Sequence, residues 1–127
     1  MNILKKIIAE KELEIKKLNY SEFDETIFNP KDFIKSLLSK GISIIAEIKF
    51  KSPSEGQLLE PQDVVKIAKN YESAGASAIS ILTDKKFFDG DINFLKRVAS
   101  EVSITVLRKD FIISNAQIIE TGINSAY

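Results

Sequence analysis

The sequence contains no histidine and no cysteine among its 127 residues. Without cysteine the chain has no disulfide framework and no thiolate metal site. Without histidine it also lacks the commonest general base and the commonest zinc ligand. Any acid–base chemistry must therefore use lysine, glutamate, aspartate or tyrosine side chains.

Neither sign of charge is in excess, since 18 basic side chains are balanced by 18 acidic ones. This balance gives no electrostatic case for nucleic acid or an anionic membrane surface as a partner. No apolar run approaches the ~18 residues of a membrane span, and the first residues, MNILKK, do not resemble a secretory signal. The 44% hydrophobic and 28% charged residues are typical of a globular protein, and 127 residues are the length of one domain. Together with the preceding observations, this predicts a soluble cytoplasmic protein.

The segment IIAEIK at residues 44–49 is β-branched and apolar, which predicts a buried strand, yet it carries two charges. Because side chains alternate along a strand, Glu47 and Lys49 share one face and residues 44, 46 and 48 share the other. Charges inside a buried strand are costly unless they are paired or used. Since the polar turn SPSEG follows at 52–56, we expect a site at the carboxyl end of this strand.

Helical and strand patterns alternate along the chain. The predicted helices span 2–18, 32–38, 61–73 and 91–99, with another beginning at a capping box formed by Ser114 and Gln117. The predicted strands span 43–49, 78–82 and 103–107, and residues 83–90 are predicted to be a loop. The β-α-β-α-β-α order predicts parallel pairing, so the expected fold class is α/β. Three such units are less than half of an eight-stranded (β/α) barrel.

Three charged side chains stand near the ends of predicted strands: Glu47 and Lys49 on the first, and Lys109 after the third. In a β/α barrel, the carboxyl ends of the strands form the active-site face. A lysine that is near other cations or partly desolvated can have a lowered pKa and act as a general acid, and a carboxylate beside it can hold it in place. The alternative is structural, with Glu47 paired to Lys49 and Lys109 paired to Asp110, and the pattern leaves both open.

Two weaker features accompany these charges. The turn at 52–56 offers hydroxyl and N–H groups for an anion, although such turns are more often purely structural. Three phenylalanines, Phe87, Phe88 and Phe111, follow the second and third strands. They would suit a pocket for an aromatic substrate, and the alternative for them is ordinary packing under loops.

Together these segments resemble the indole-3-glycerol phosphate synthase family. The first resembling segment is AEIK at 46–49 with SPS and Gly56 after it, the second is 83–90 with Phe88 and Gly90, and the third is LRKDFI at 107–112 with Gln117. The two leading helices are similar to the extension that precedes the barrel in this family. The resemblance therefore implies an N-terminal helical extension over 1–42 and the first three units of a (β/α)8 barrel, a TIM barrel, over 43–127.

The resemblance implies a lyase of tryptophan biosynthesis that works without cofactor or metal. Its phosphorylated substrate is 1-(2-carboxyphenylamino)-1-deoxyribulose 5-phosphate, whose indole ring is closed with loss of carbon dioxide and water. Lys109 matches the general-acid lysine of the family, Lys49 a lysine that contacts the anionic substrate, and Glu47 the partner carboxylate. The matching substrate-binding positions are Ser52 near the phosphate and the aromatic residues Phe88 and Phe111.

The chain departs from the family pattern in two places. Phe50 stands where the family usually has a basic or small residue, and residues 125–127 read SAY where it has Gly-Ala-Asp. The resemblance also places the second carboxylate and the main phosphate loops of the family beyond residue 127. We therefore expect the chain alone to be inactive and to self-associate through unpaired strand edges. The alternatives are another phosphate-binding barrel of amino-acid biosynthesis, or a non-catalytic half-barrel interaction module.

Overall fold

A computed structural model of the chain describes residues 2–19, 30–38, 41–60 and 63–127. The first two residues of the predicted helix at 61–73 lie outside this range. No helix of the described part is long and apolar enough to cross a membrane. The elements are α1 (Ile3–Ile15), α2 (Pro30–Leu37), β1 (Ile45–Ile48), β2 (Lys51–Ser52), β3 (Gly56–Gln57), α3 (Val64–Ser73), β4 (Ala78–Leu82), α4 (Lys85–Phe88), α5 (Asn93–Ala99), β5 (Thr105–Lys109) and α6 (Asn115–Ile123).

Strands β1, β4 and β5 form one parallel sheet in the order β1-β4-β5. The register aligns Ile45 with Ala78 and Thr105, so that equivalent residues form rows across the sheet. A second sheet is the small antiparallel hairpin of β2 and β3, formed by the predicted SPSEG turn and its flanks. The predicted α/β class with parallel pairing is confirmed, while closure into a barrel is not seen in these three strands.

The main core lies on one face of the sheet, beneath α3 and α5. Residues such as Ala68, Ile79, Ile81 and Leu95 are fully buried there, which removes their apolar surface from water. Helix α3 is capped by Asp63, whose carboxylate accepts the N–H of Val65. The capping box predicted at the start of α6 is present. These caps satisfy N–H groups that the first turns of helices leave without partners.

Strand β1 is an edge strand, so the prediction of a fully buried strand is wrong for its first half. Ile44 and Ile45 are 59% and 42% exposed, whereas Ile48 is 2% exposed. The reason is tertiary, because in the described residues only β4 pairs with β1. Periodicity gives the faces of a strand but not its position in the sheet.

Strand β5 begins two residues later than predicted and includes Lys109 as its last residue. The carboxylate of Glu72 at the end of α3 accepts the N–H groups of Ser103 and Ile104 at 2.7 and 3.1 Å. These groups are therefore unavailable to the sheet. On the side of β5 that faces away from β4, the backbone of Tyr127 hydrogen-bonds to the backbone of Val106 and Arg108. The prediction that this edge of the sheet would be unpaired is therefore wrong at these residues.

The segment predicted as a loop at 83–90 contains the single helical turn α4. Asp84 caps it, with Oδ1 accepting the N–H of Phe87 at 2.8 Å. The backbone N–H of Gly90 donates a hydrogen bond to the carbonyl of Asp84 at 2.8 Å. Gly90 lies so close to the end of β4 that a Cβ atom would stand 2.3 Å from the carbonyl oxygen of Leu82. This segment is therefore fixed to the strand end.

The two N-terminal helices contact opposite ends of the sheet. Lys11 of α1 contacts Asp84, two residues after the carboxyl end of β4, and Asp110, the first residue after β5. Ser36 of α2 hydrogen-bonds to Thr105, the first residue of β5, at 3.0 Å. Helix α1 thus lies at the end where the candidate site residues are found.

Candidate active site

The sheet separates two sets of charged side chains at its carboxyl end. Because side chains alternate along a strand, Lys109 and Arg108 point to opposite faces. The register places Arg108 level with Ile81, on the face of the main core, and Lys109 level with Leu82. Glu47, one residue before the core residue Ile48, shares the face of Lys109.

On that face, Glu47 connects the two lysines that sequence reasoning singled out. Its Oε1 lies 2.5 Å from Nζ of Lys109, and its Oε2 lies 3.8 Å from Nζ of Lys49. The alternative that pairs Lys109 with Asp110 is wrong, because Asp110 contacts Lys11 and Arg108 instead. One carboxylate thus holds two ammonium groups from different strands.

This trio of Glu47, Lys49 and Lys109 carries one more positive charge than negative charge. Lys109 is 56% exposed, and Glu47 and Lys49 are each 31% exposed. Ion pairs this accessible contribute only about 0–1 kcal/mol to stability, so folding alone gives little reason to assemble them. An accessible trio with a surplus cation is suited to binding an anion and donating a proton to it.

The Glu47–Lys109 contact passes over β4, the strand that lies between β1 and β5. The two outer strands are about 10 Å apart, twice the usual strand spacing. Ser80 is level with Glu47 in the register and is buried, and its small side chain leaves room above it. Its hydroxyl has no hydrogen-bond partner within the described part of the chain.

An apolar cavity of about 400 Å³ opens at the same end of the sheet. Phe88 and Phe111 form part of its wall, with ring centroids 6.1 Å apart and planes tilted by 40°. The remaining lining residues come from α1 and the β2–β3 turn, namely Ile3, Leu4, Ile7, Pro53 and Ser54. A cavity of this size and apolar character suits a small aromatic ligand.

The structure places Ser52 inside the β2–β3 hairpin, and Ser54 is the serine that lines the cavity. The Ser52 side chain is buried, and its Oγ accepts the N–H of Glu55 at 3.1 Å. Phe50, the departure from the family pattern, packs in the main core against Phe94 at 6.0 Å between ring centroids. Its ring therefore belongs to the core and takes no part in the anion site.

Sequence reasoning missed a buried ionic cluster centred on Lys11. This side chain is 1% exposed, and Nζ lies 2.7 Å from Glu14, 2.8 Å from Asp84 and 3.0 Å from Asp110. Burial alone would lower the pKa of Lys11, but contacts with Asp84, Glu14 and Asp110 raise it above its ordinary value. Lys11 is therefore an ammonium ion. Separately, no group of three or more carboxylates in the described residues is arranged to hold a metal ion.

Arg108 completes this cluster from the other side of Asp110. Its guanidinium lies 3.2 Å from Asp110 and 2.9 Å from Glu120, and it donates to the hydroxyl of Thr83 at 3.1 Å. Burial alone would raise the pKa of Asp110, but the Thr83 hydroxyl and the Lys11 ammonium hold it below its ordinary value. Asp110 is thus ionised and saturated with partners.

A signal for Lys11 was present in the sequence. Residues 3, 7, 11, 15 and 18 lie on one side of a helix, and position 11 is the single charged residue among them. A lysine within an apolar stripe needs a buried anion or a path to solvent. The sequence gives no means of choosing Asp84 and Asp110 as the anions, because they lie more than 70 residues away.

The model of a known protein family, described as indole-3-glycerol phosphate synthase, matches residues 4–126. The chain belongs to the indole-3-glycerol phosphate synthase family. The matched range contains the Glu47–Lys49–Lys109 trio, Lys11 and both aromatic rings of the cavity. Of the alternatives drawn from the sequence, this match favours the named family over another phosphate-binding barrel.

Individual relatives agree with this family assignment. An indole-3-glycerol phosphate synthase of Desulfotalea psychrophila is 46% identical over 133 aligned residues, which cover 98% of this chain and 51% of the relative. One from Leptospira interrogans is 49% identical over 118 residues, covering 93% of this chain and 46% of the relative. The chain thus spans about half the length of the indole-3-glycerol phosphate synthases it matches.

Proposed function

We propose that this chain forms the N-terminal part of an active indole-3-glycerol phosphate synthase and supplies its general acid. The observation that carries this proposal is the contact of Lys109 with Glu47, which brings together the first and third family-like segments. The substrate proposed is 1-(2-carboxyphenylamino)-1-deoxyribulose 5-phosphate. The reaction needs no cofactor or metal in this proposal, and it takes place in the cytoplasm.

In the proposed reaction, the ring carbon that bears the carboxylate bonds to the ketone carbon of the substrate. Lys109 gives its proton to the ketone oxygen, which becomes a hydroxyl group. Carbon dioxide then leaves the ring carbon, and its bonding electron pair restores the aromatic ring. The hydroxyl group takes up a second proton and leaves as water, while the carbon between the nitrogen and the former ketone carbon loses a proton, which forms the double bond of the indole. The carboxylate of Glu47 supports this role, because its contact with Nζ fixes the position of the Lys109 side chain.

The remaining site residues bind the substrate in this proposal. Lys49 contacts the substrate carboxylate, since Glu47 neutralises only one of the two lysines. Phe88 and Phe111 contact the substrate ring, which the tilted arrangement of their own rings suits. Ser52 acts near the phosphate by organising the hairpin, because its hydroxyl is already used within the turn.

We also propose that residues 1–42 are an extension and that 43–127 begin an eight-stranded barrel. The backbone of Tyr127 accepts from Arg108 at 2.7 Å and donates to Val106 at 3.0 Å. These are the two bonds with which a further parallel strand would start beside β5. The position of α1 at one end of the strands and α2 at the other supports an extension that covers both ends.

The test is to co-express this chain with the C-terminal half of the Desulfotalea psychrophila relative and measure formation of indole-3-glycerol phosphate. We expect the purified pair to be active and the Lys109→Met variant to lose a factor of about 10²–10⁴ in kcat, the usual contribution of a general acid. Lys66→Met is the control, because Lys66 is exposed on α3.

An assembled pair without activity would refute the proposed enzyme and support an interaction module. A Lys109→Met pair with normal turnover would refute the assignment of the acid alone.

A further inference from the structure

We propose that Lys11 is a positioning residue that joins three of the four walls of the aromatic cavity. The inference rests on the proposed function, in that the cavity is taken as the site of the substrate ring. These three walls are α1, the segment after β4 and the segment after β5, and the β2–β3 turn is the fourth. Lys11 belongs to the first wall and is bonded to one carboxylate from each of the next two.

The first wall is α1 itself. Ile3, Leu4 and Ile7 line the cavity, and Lys11 lies one turn further along the helix. Ile3 and Leu4 are about half exposed, at 47% and 52%, so apolar burial holds this end of the helix only in part. Lys11 and Ile7 are the buried residues of α1. The ionic contacts of Lys11 are therefore a principal attachment of the wall.

The second wall is held through Asp84. Its Oδ2 lies 2.8 Å from Nζ of Lys11, while its Oδ1 accepts the N–H of Phe87 at 2.8 Å. That second bond caps α4, which carries the cavity residue Phe88. One carboxylate thus relates the position of α1 to the position of Phe88.

The third wall is held through Asp110, which lies between the proposed acid Lys109 and Phe111. A single oxygen, Oδ1, lies 3.0 Å from Nζ of Lys11 and accepts the N–H of Phe111 at 2.7 Å. Its other oxygen accepts from Thr83 at 2.7 Å. Displacement of Lys11 would therefore disturb the backbone that sets the Phe111 ring.

Stability alone explains this arrangement poorly. Ions are expensive to bury, and a well-packed apolar group is often as good as a buried ion pair for stability. An ammonium ion bonded to two separate strand ends does something an apolar group cannot, because its bonds fix direction and distance. Methionine has a similar length and no charge, so Lys11→Met removes these bonds while keeping most of the volume.

The first experiment measures amide hydrogen exchange on the 127-residue chain alone. In Lys11→Met we expect exchange across residues 3–15 to accelerate by at least about tenfold, with smaller changes at Phe87 and Phe111. Lys5→Met is the matched control, since Lys5 is an exposed lysine of the same helix. Lys11→Arg keeps the charge and should retain most of the protection. Unchanged exchange in Lys11→Met would overturn the proposal.

The second experiment uses the co-expressed pair. Because the Glu47–Lys109 contact does not involve Lys11, Lys11→Met should raise KM by about tenfold or more while kcat falls less. A fall in kcat with unchanged KM would overturn the positioning role, as would equal kinetics for the methionine and arginine variants. If Lys11→Met fails to fold, the double variant Lys11→Met/Asp84→Asn removes one uncompensated carboxylate and should show the same rise in KM.

An inactive wild-type pair would count against the proposed enzyme. The attachment of α1 through Lys11 would then be tested by the hydrogen-exchange experiment.

Discussion

Gly90→Ala should weaken the fold and displace the helical turn that carries Phe88. Gly90 does not have the left-handed backbone conformation that favours glycine, so its requirement is steric. An added Cβ would lie 2.3 Å from the carbonyl oxygen of Leu82 and 2.8 Å from the carbonyl carbon of Thr83. Both atoms belong to the backbone at the end of the central strand, which cannot rotate away as a side chain would.

The size of the effect follows from this geometry. Carbon and oxygen atoms normally stay about 3.3 Å apart, so the segment must move by about 1 Å. The movement would strain or break the bond from the Gly90 N–H to the carbonyl of Asp84, now 2.8 Å long. Overpacking costs about 1–3 kcal/mol, and a lost hydrogen bond adds about 1 kcal/mol. We therefore expect a loss of about 2–4 kcal/mol, which lowers Tm by roughly 8–16 °C in a domain of this size.

Urea and thermal unfolding at a fixed low protein concentration would measure the loss, and NMR signals of the Phe88 and Phe111 rings would report the displacement. Gly75→Ala is the control, because Gly75 has a φ of +96° and no atom within 4 Å of an added Cβ. That control should lower stability through backbone strain and leave the ring signals in place. A Gly90→Ala chain with unchanged Tm and ring signals would refute the steric argument.

Two further outcomes are expected. The Thr83 hydroxyl and Lys11 hold the pKa of Asp110 low despite its burial. The ionised Asp110 therefore stabilises the fold above about pH 4, and this stabilisation is lost as the pH falls through the folded-state pKa. Urea unfolding from pH 6 to pH 2 should show a fall in the free energy of unfolding. An Asp110→Asn chain whose free energy of unfolding falls equally over this pH range would contradict the expectation. The outer edge of β1 lacks a partner strand in the described residues. Small-angle scattering should therefore show self-association that increases with protein concentration. The variant Ile44→Lys should reduce this association, because Ile44 is 59% exposed. A monodisperse wild-type monomer would refute this second expectation.

The local features of the fold could be predicted because their causes are local. The strand at 78–82 was predicted with its observed bounds, and so was the capping box of Ser114 and Gln117. Alternation along β1 places Glu47 on the face opposite the core residue Ile48, as its period requires. The start of β5 was mispredicted because Glu72, 31 residues before Ser103, takes up backbone N–H groups there. The helical turn at Lys85–Phe88 was missed although its cap, Asp84, is local.

For the candidate site too, the sequence indicates the residues but not all of their contacts. The residue types and their segments were present in the sequence, since Lys109, Glu47 and the two phenylalanines each follow or end a strand. The pairing of Glu47 with Lys49 was among the sequence-based alternatives and is present. The partner of Lys109 was not foreseen, because Lys109 reaches across β4 to Glu47, 62 residues earlier, and leaves its neighbour Asp110 to other cations.

The sequence by itself determined the chemistry available to this protein: no histidine or cysteine, paired lysines and glutamate, and alternating strands and helices. Only the tertiary structure decided that Lys11 is buried between Asp84 and Asp110, and that α1 therefore closes one side of the aromatic cavity. The physical reason is that periodicity and capping act over a few residues, whereas the partner of a buried charge is chosen by which strand ends the parallel sheet brings together.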